Sequence, residues 1–109
     1  MNRATFLNRK CSPCSSQTLA LSNSVVTQYL SELAGWAKKD LTIEKEYVFK
    51  NFKNAISFVN QVAQLAEQED HHPDIGIYYN KVILTLWTHT VKGLTENDFI
   101  LAAKIDAIQ

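Results

Sequence analysis

The central stretch Phe52, Ala55, Ile56, Val59, Val62, Ala63 and Ala66 puts apolar side chains at spacings of three and four over four turns. Only a helix with one buried face produces that pattern. Asn51 stands ready to cap its first turn, and Gln61, Gln64 and Gln68 occupy the outside. Such a helix must lie on something, and its flanks show what. On each side are two short runs with the period-2 alternation of strands.

Before the helix, Trp36 to Lys38 and Leu41 to Lys50 read as strands folded about Lys39-Asp40. Leu41, Ile43, Tyr47 and Phe49 share one face, with Lys45 the exception. After it come Ile75 to Tyr79 and Val82 to His89, joined through Asn80-Lys81. In the last strand Val82, Leu84, Leu86 and Thr88 point one way; Ile83, Thr85, Trp87 and His89 point the other. An outer helix begins near Ser22-Asn23-Ser24, carries Val26, Tyr29, Leu30 and Leu33 on one face, and stops at Gly35. Another starts at Thr95, with Asp98 in the position of a capping-box carboxylate. Its run Phe99 to Ala103 is apolar all round, so Phe99, Ile100 and Ala103 are expected to meet a partner subunit or the first helix. The order helix-strand-strand-helix-strand-strand-helix gives an α+β fold: a four-stranded antiparallel sheet with three helices packed on one face.

Residues 22–109 form this domain, and residues 1–21 are expected to be a flexible arm that adds little to the core. The arm holds both cysteines, as Cys11-Ser12-Pro13-Cys14. Two thiols make at most half a zinc site. They read as reduced thiols, with intersubunit metal binding or a disulfide as the alternatives. Arg3, Arg9 and Lys10, with no acid before Glu32, faintly resemble an organelle transit peptide; no apolar core follows them as in a secretory signal. The expected location is the cytoplasm. Eleven basic and eleven acidic residues cancel, which removes any global attraction to nucleic acid or an anionic membrane. No run approaches the ~20 apolar residues of a membrane span.

The three histidines, His71, His72 and His89, all fall between residues 70 and 89. Imidazole exchanges protons near neutral pH, so the cluster points to proton transfer. Pro73 pushes His72 toward an extended backbone. Glu67 and Asp70 sit on the last turn of the central helix, where the helix dipole disfavours acids. Pairing with the neighbouring imidazoles would account for them. A three-histidine zinc hydrolase is the competing chemistry, although adjacent histidines on an extended backbone point to opposite sides.

Asp70-His71-His72-Pro73, Tyr79-Asn80-Lys81-Val82, Thr88-His89 and Gly93-Leu94-Thr95, together with Phe49-Lys50-Asn51-Phe52, Glu67 and Asp98, resemble the signature of the pterin-4a-carbinolamine dehydratases. The resemblance covers most of the chain from about Ser22. It implies a lyase that expels water from 4a-hydroxytetrahydrobiopterin to give the quinonoid dihydropterin, with no metal or redox cofactor. It further implies catalytic roles for His71, His72 and His89, and pterin-binding positions at Asp70, Trp87, Thr88, Glu67 and Asp98. On this reading Asp98 orients His89, and Glu67 polarises the pair at 71 and 72. A homodimer or homotetramer and a link to aromatic amino acid hydroxylases follow from the same resemblance. So does an alternative: an adaptor that binds a partner through its helical face, as animal relatives bind a transcription factor. Trp87 stands where animal relatives have Ser, and Asn97 where they have Arg. Some family members, particularly bacterial ones, have a similar Cys-x-Pro-Cys element before the domain.

Overall fold

A computed structural model describes residues 1–15 and 17–109. Strands β1 (Ala37–Lys39), β2 (Thr42–Val48), β3 (Asp74–Tyr78) and β4 (Lys81–Leu86) form one antiparallel sheet in the order β1-β2-β4-β3. Register follows the apolar alternation. Ile43 lies opposite Leu86 and Tyr47 opposite Val82, so the buried side chains of the two central strands fall on one face. The second hairpin turns at Tyr79-Asn80, a residue earlier than the sequence suggests, because Tyr79 takes the left-handed conformation (φ 57°). His89 accordingly lies outside the strand. It opens a single 3₁₀ turn, His89–Val91, closed off by a bridge between Thr88 and Gly93.

The helices cap as their sequences require. Ser22 Oγ accepts from the Val25 N–H at the start of α2 (Asn23–Leu30), and Asn51 Oδ1 accepts from the Asn54 N–H at the start of α3 (Phe52–Glu69). Helix α2 ends at Leu30 rather than running on to Gly35, and turns connect the two. On α3 the buried row is Ala55, Phe58, Val62 and Ala66. Phe52 and Ala63, expected inside, face solvent, while Phe58 packs against Tyr47 and Phe49 at centroid distances of 4.8 and 5.0 Å. Both rows are apolar, and the sheet takes the one whose small Ala55 and Ala66 permit close approach while Phe58 fills the space between.

Helix α4 (Glu96–Ile108) lies at the centre of the helical layer, with every residue from Asn97 to Ala103 buried. Its surplus apolar side is covered by the chain itself. Residues Arg3–Asn8 form a short helix, α1, capped by Asn2 Oδ1 on the Thr5 N–H, and α1 packs on α4. Phe6, fully buried, lies 6.0 Å from Phe99 and 5.2 Å from Tyr29, ring centre to ring centre. One expectation is corrected here and another is narrowed. The arm does contribute to the core, and of the two alternatives for Phe99, Ile100 and Ala103 the first helix is the one seen, with Tyr29 packed 5.3 Å from Phe99 and α1 added beside it. One anchor on a six-residue helix leaves no periodicity to read, which is why the sequence hid it.

Lys45, the exception on the apolar face of β2, is explained by Asp106 near the end of α4. Asp106 Oδ1 accepts from Tyr47 Oη (2.5 Å) and Lys45 Nζ (2.9 Å), and Oδ2 accepts from Trp36 Nε1 (3.1 Å). Burial, then the hydrogen bond and charge of Asp106, push the Tyr47 hydroxyl well above its ordinary pKa. Replacing Asp106 with Ala would leave one charge and two donors without their acceptor. The expected cost is about 2–4 kcal/mol, a fall of roughly 10 °C or more in Tm by calorimetry. A Lys45→Met/Asp106→Leu pair should lose less, because no unpaired charge is left behind.

Candidate functional site

The cluster forms where three elements end together. Helix α3 stops at Asp70, whose left-handed backbone (φ 50°) lets the N–H groups of Asp70 and His71 both return to the Ala66 carbonyl. The chain then turns extended toward Pro73 and β3, which separates the two adjacent imidazoles. His71 turns inward. Its Nε2 lies 2.6 Å from Oδ1 of Asp98, a carboxylate with no solvent exposure in the first turn of α4. His72 stays exposed and meets Glu67 Oε2 through its own Nε2 at 2.5 Å. Beyond β4, the His89 ring lies over Trp87 at 4.1 Å.

The bonds around Asp98 show what it supports. Its Oδ2 accepts from Thr88 Oγ1 (2.9 Å) and the Thr95 N–H (2.9 Å), and Thr95 Oγ1 lies 2.8 Å from Thr88 Oγ1. With the Thr88 proton given to Asp98, Thr95 donates to Thr88. An ionised Asp98 accepts on both oxygens, and the tautomer that matches it has His71 donating from Nε2. That leaves His71 Nδ1 as the nitrogen able to exchange a proton with a ligand. The bond also corrects one expectation: Asp98 orients His71, not His89. Capping box and histidine support are both served by the same carboxylate.

These groups border a cavity of about 560 Å³. Six of the expected site residues line it: His71, His72, His89, Asp70, Trp87 and Thr88. Glu67 and Asp98 do not; each stands behind the histidine it bonds. Among the described residues, no three His, Cys, Asp or Glu side chains converge as a metal site. No helix among them is long and apolar enough to cross a membrane.

The sequence reading missed one whole wall. Cys11, Ser12, Pro13 and Cys14 line the same cavity. The segment is held by Asn97, which accepts from the Ser12 N–H (2.9 Å) and donates to the Ser12 carbonyl (2.7 Å), and by Glu69, which accepts from the Cys11 N–H (2.9 Å). Lys104 Nζ donates to the other Glu69 oxygen at 2.8 Å. Burial pushes the Cys11 thiol up to about 12, helped by the charge and hydrogen bond of Glu69, so Cys11 is a thiol and no thiolate at neutral pH. The only advance signal was a cysteine pair with no other use.

Burial tends to raise the Glu69 carboxyl, but hydrogen bonds from Lys104 and the Cys11 N–H, with the Lys104 charge, outweigh it and hold the group below its ordinary value. A depressed folded pKa adds stability that is present above the unfolded value, about 4.3, and is lost as pH falls through the lower folded one. The plot of Tm against pH should therefore descend below about pH 4.3, and Glu69→Gln should flatten part of that descent.

The comparisons with known proteins agree. The family model for pterin 4 alpha carbinolamine dehydratase matches residues 19–108. A protein of Vibrio cholerae serotype O1, provisionally named pterin-4-alpha-carbinolamine dehydratase, is 50% identical over 103 residues, covering 91% of this chain and 94% of its own. The crystal structure of a transcriptional coactivator/pterin dehydratase from Brucella melitensis superposes with a TM-score of 0.78 at 41% identity, over 82% of this chain and 97% of that one. A pterin dehydratase-like protein identified as a RuBisCO assembly factor in the alpha-carboxysome reaches 0.56 at 26% identity, over 67% and 84%.

Proposed function

The chain belongs to the pterin-4a-carbinolamine dehydratase family, and from that premise we propose that its histidine cavity dehydrates 4a-hydroxytetrahydrobiopterin, the step that returns the pterin after an aromatic amino acid hydroxylase has used it. The observation that carries this reading is the buried Asp98–His71 pair at the edge of a cavity shared with His72 and His89.

The reaction breaks the bond between ring carbon 4a and its hydroxyl. A ring-nitrogen lone pair drives the hydroxyl out, one group protonates the departing oxygen, and another removes the proton from ring nitrogen. Water and quinonoid dihydropterin are the products. His71 suits the second task. Its Nε2 proton is committed to Asp98, so neutral His71 presents Nδ1 as a base, and the carboxylate stabilises the imidazolium that results. The acid is His72 or His89. Both line the cavity, one tethered to Glu67 and the other tilted against the Trp87 ring. The flat Trp87 ring offers an aromatic surface for a planar heterocycle, and Thr88, bonded through backbone and side chain, holds that ring in place.

Stopped-flow absorbance with 4a-hydroxytetrahydropterin tests the proposal. The wild type should accelerate dehydration, and EDTA should leave the rate unchanged. Inactivity with every 4a-hydroxytetrahydropterin tried, or loss in EDTA restored by zinc, would overturn it. Comparing His72→Ala with His89→Ala identifies the acid as the variant that loses the alkaline limb of the pH–rate profile.

The Brucella melitensis relative, a transcriptional coactivator/pterin dehydratase, favours a second reading, an adaptor. In this chain, however, the apolar side of α4 on which that reading rested is occupied by Phe6 and Tyr29. Self-association is better supported at the sheet edge, where β3 is open and Ile75, Ile77 and Tyr78 are exposed. A dimer or tetramer in sedimentation at micromolar concentration is the expected state.

A further inference from the structure

We propose that the Cys11-Ser12-Pro13-Cys14 segment is a wall of the substrate site that receives the uncharged side chain of an unphosphorylated pterin, with Asn97 and Glu69 as the residues that position it. The proposal rests on the dehydratase reading above and adds a specificity element to it.

Three observations carry it. First, the segment lines the same cavity as His71, His72 and His89, so a ligand within reach of the histidines has this wall beside it. Second, the wall is built and not draped. Asn97 grips both backbone polar groups of Ser12, and Glu69, itself buried and paired with Lys104, takes the Cys11 N–H. Bidentate backbone fixing of this kind sets a loop's position to a fraction of an ångström, which a general surface tether would not need. Third, the lining has a charge sign. Glu69, Asp70 and Asp74 border the cavity, and no Lys or Arg does among the described residues. Pro13 and Cys14 add small, uncharged surface. Glu69 is neutralised by Lys104, but Asp70 and Asp74 have no ion-pair partner among the described residues, and such carboxylates repel a phosphate and accept a hydroxylated side chain.

The test uses the full-length protein and 7,8-dihydrobiopterin as the probe. N-ethylmaleimide labelling of Cys14 is followed by peptide mass spectrometry, while tryptophan fluorescence quenching reports binding independently. Saturating probe should slow Cys14 labelling about fivefold or more, as site occupancy above that level requires. Saturated quenching with unchanged labelling would overturn the wall and leave the dehydratase reading intact. Absence of both quenching and turnover in the wild type would overturn the dehydratase reading, and this proposal with it.

A second measurement separates positioning from stability. Asn97→Ala should raise KM for a carbinolamine with a dihydroxypropyl side chain about fivefold, keep kcat within about twofold, and move KM for the 6-methyl analogue less than about twofold. Equal changes for both substrates, or a fall in kcat alone, would count against a side-chain wall. A pterin esterified with phosphate on the side chain should bind about tenfold more weakly than its free alcohol; equal binding would remove the charge argument.

Discussion

His71→Ala is expected to lower kcat for carbinolamine dehydration by about 10²–10³-fold, within the usual range for loss of a positioned proton-transfer group. The fold should survive. Asp98 keeps its bonds from Thr88 and the Thr95 N–H, so the carboxylate left behind still has two donors. The cost is one charge-assisted hydrogen bond, about 1.5–3 kcal/mol. Circular dichroism should be unchanged, with Tm lowered and the transition still cooperative. Asp98→Asn should retain the shape but misplace a proton, because an amide can donate to His71 and reverse the tautomer that makes Nδ1 basic. About a tenfold to hundredfold loss is expected, with the acidic limb of the pH–rate profile, which reports the base, displaced. His89→Ala should cost at least about tenfold. Activity of His71→Ala within about threefold of wild type would show that the buried pair is only structural.

The reasons some of this could be read in advance are local ones. Caps at Ser22, Asn51 and Thr95 act within three or four residues, and so does the alternation along β4. The histidines were visible because residues 70 to 89 place them at the two ends of one hairpin. What stayed hidden depends on distance along the chain or on a choice between equals. Ser12 meets Asn97 across 85 positions, with nothing periodic to announce it. Phe58 and Phe52 both belong to apolar rows, and only the shape of the sheet selects Phe58. Asp98 reads as a cap and as a carboxylate for a histidine, but the choice of His71 over His89 depends on how the chain leaves α3 at Asp70. The expectation that residues 1–21 add little to the core fails for the same reason: Phe6 is a single anchor whose partners, Tyr29 and Phe99, lie far down the chain.

That anchor yields the other large expected effect. Phe6→Ala should destabilise the protein by about 3–5 kcal/mol, the usual cost of emptying a fully buried aromatic site. For a domain of this size that is roughly 15 °C or more in Tm. The loss should exceed the transfer term alone, because Phe6, Tyr29 and Phe99 pack as a triangle and neither remaining ring can close the gap without leaving the other. Phe6→Leu keeps most of the volume and should cost less than half as much. Deleting residues 1–15 removes Phe6 together with the ties to Glu69, Asn97 and Glu96, and uncovers the apolar side of α4. The deletion should therefore match or exceed Phe6→Ala in Tm and make association depend on concentration, since an uncovered Phe99 and Ile100 favour contact with another copy. The kinetic pattern separates the two changes. Phe6→Ala below its melting range should retain KM, because the Cys11–Cys14 segment keeps its own hydrogen bonds, whereas the deletion should raise KM as well. A deletion that melts where the full-length protein does would mean that α1 is not seated on α4 in solution.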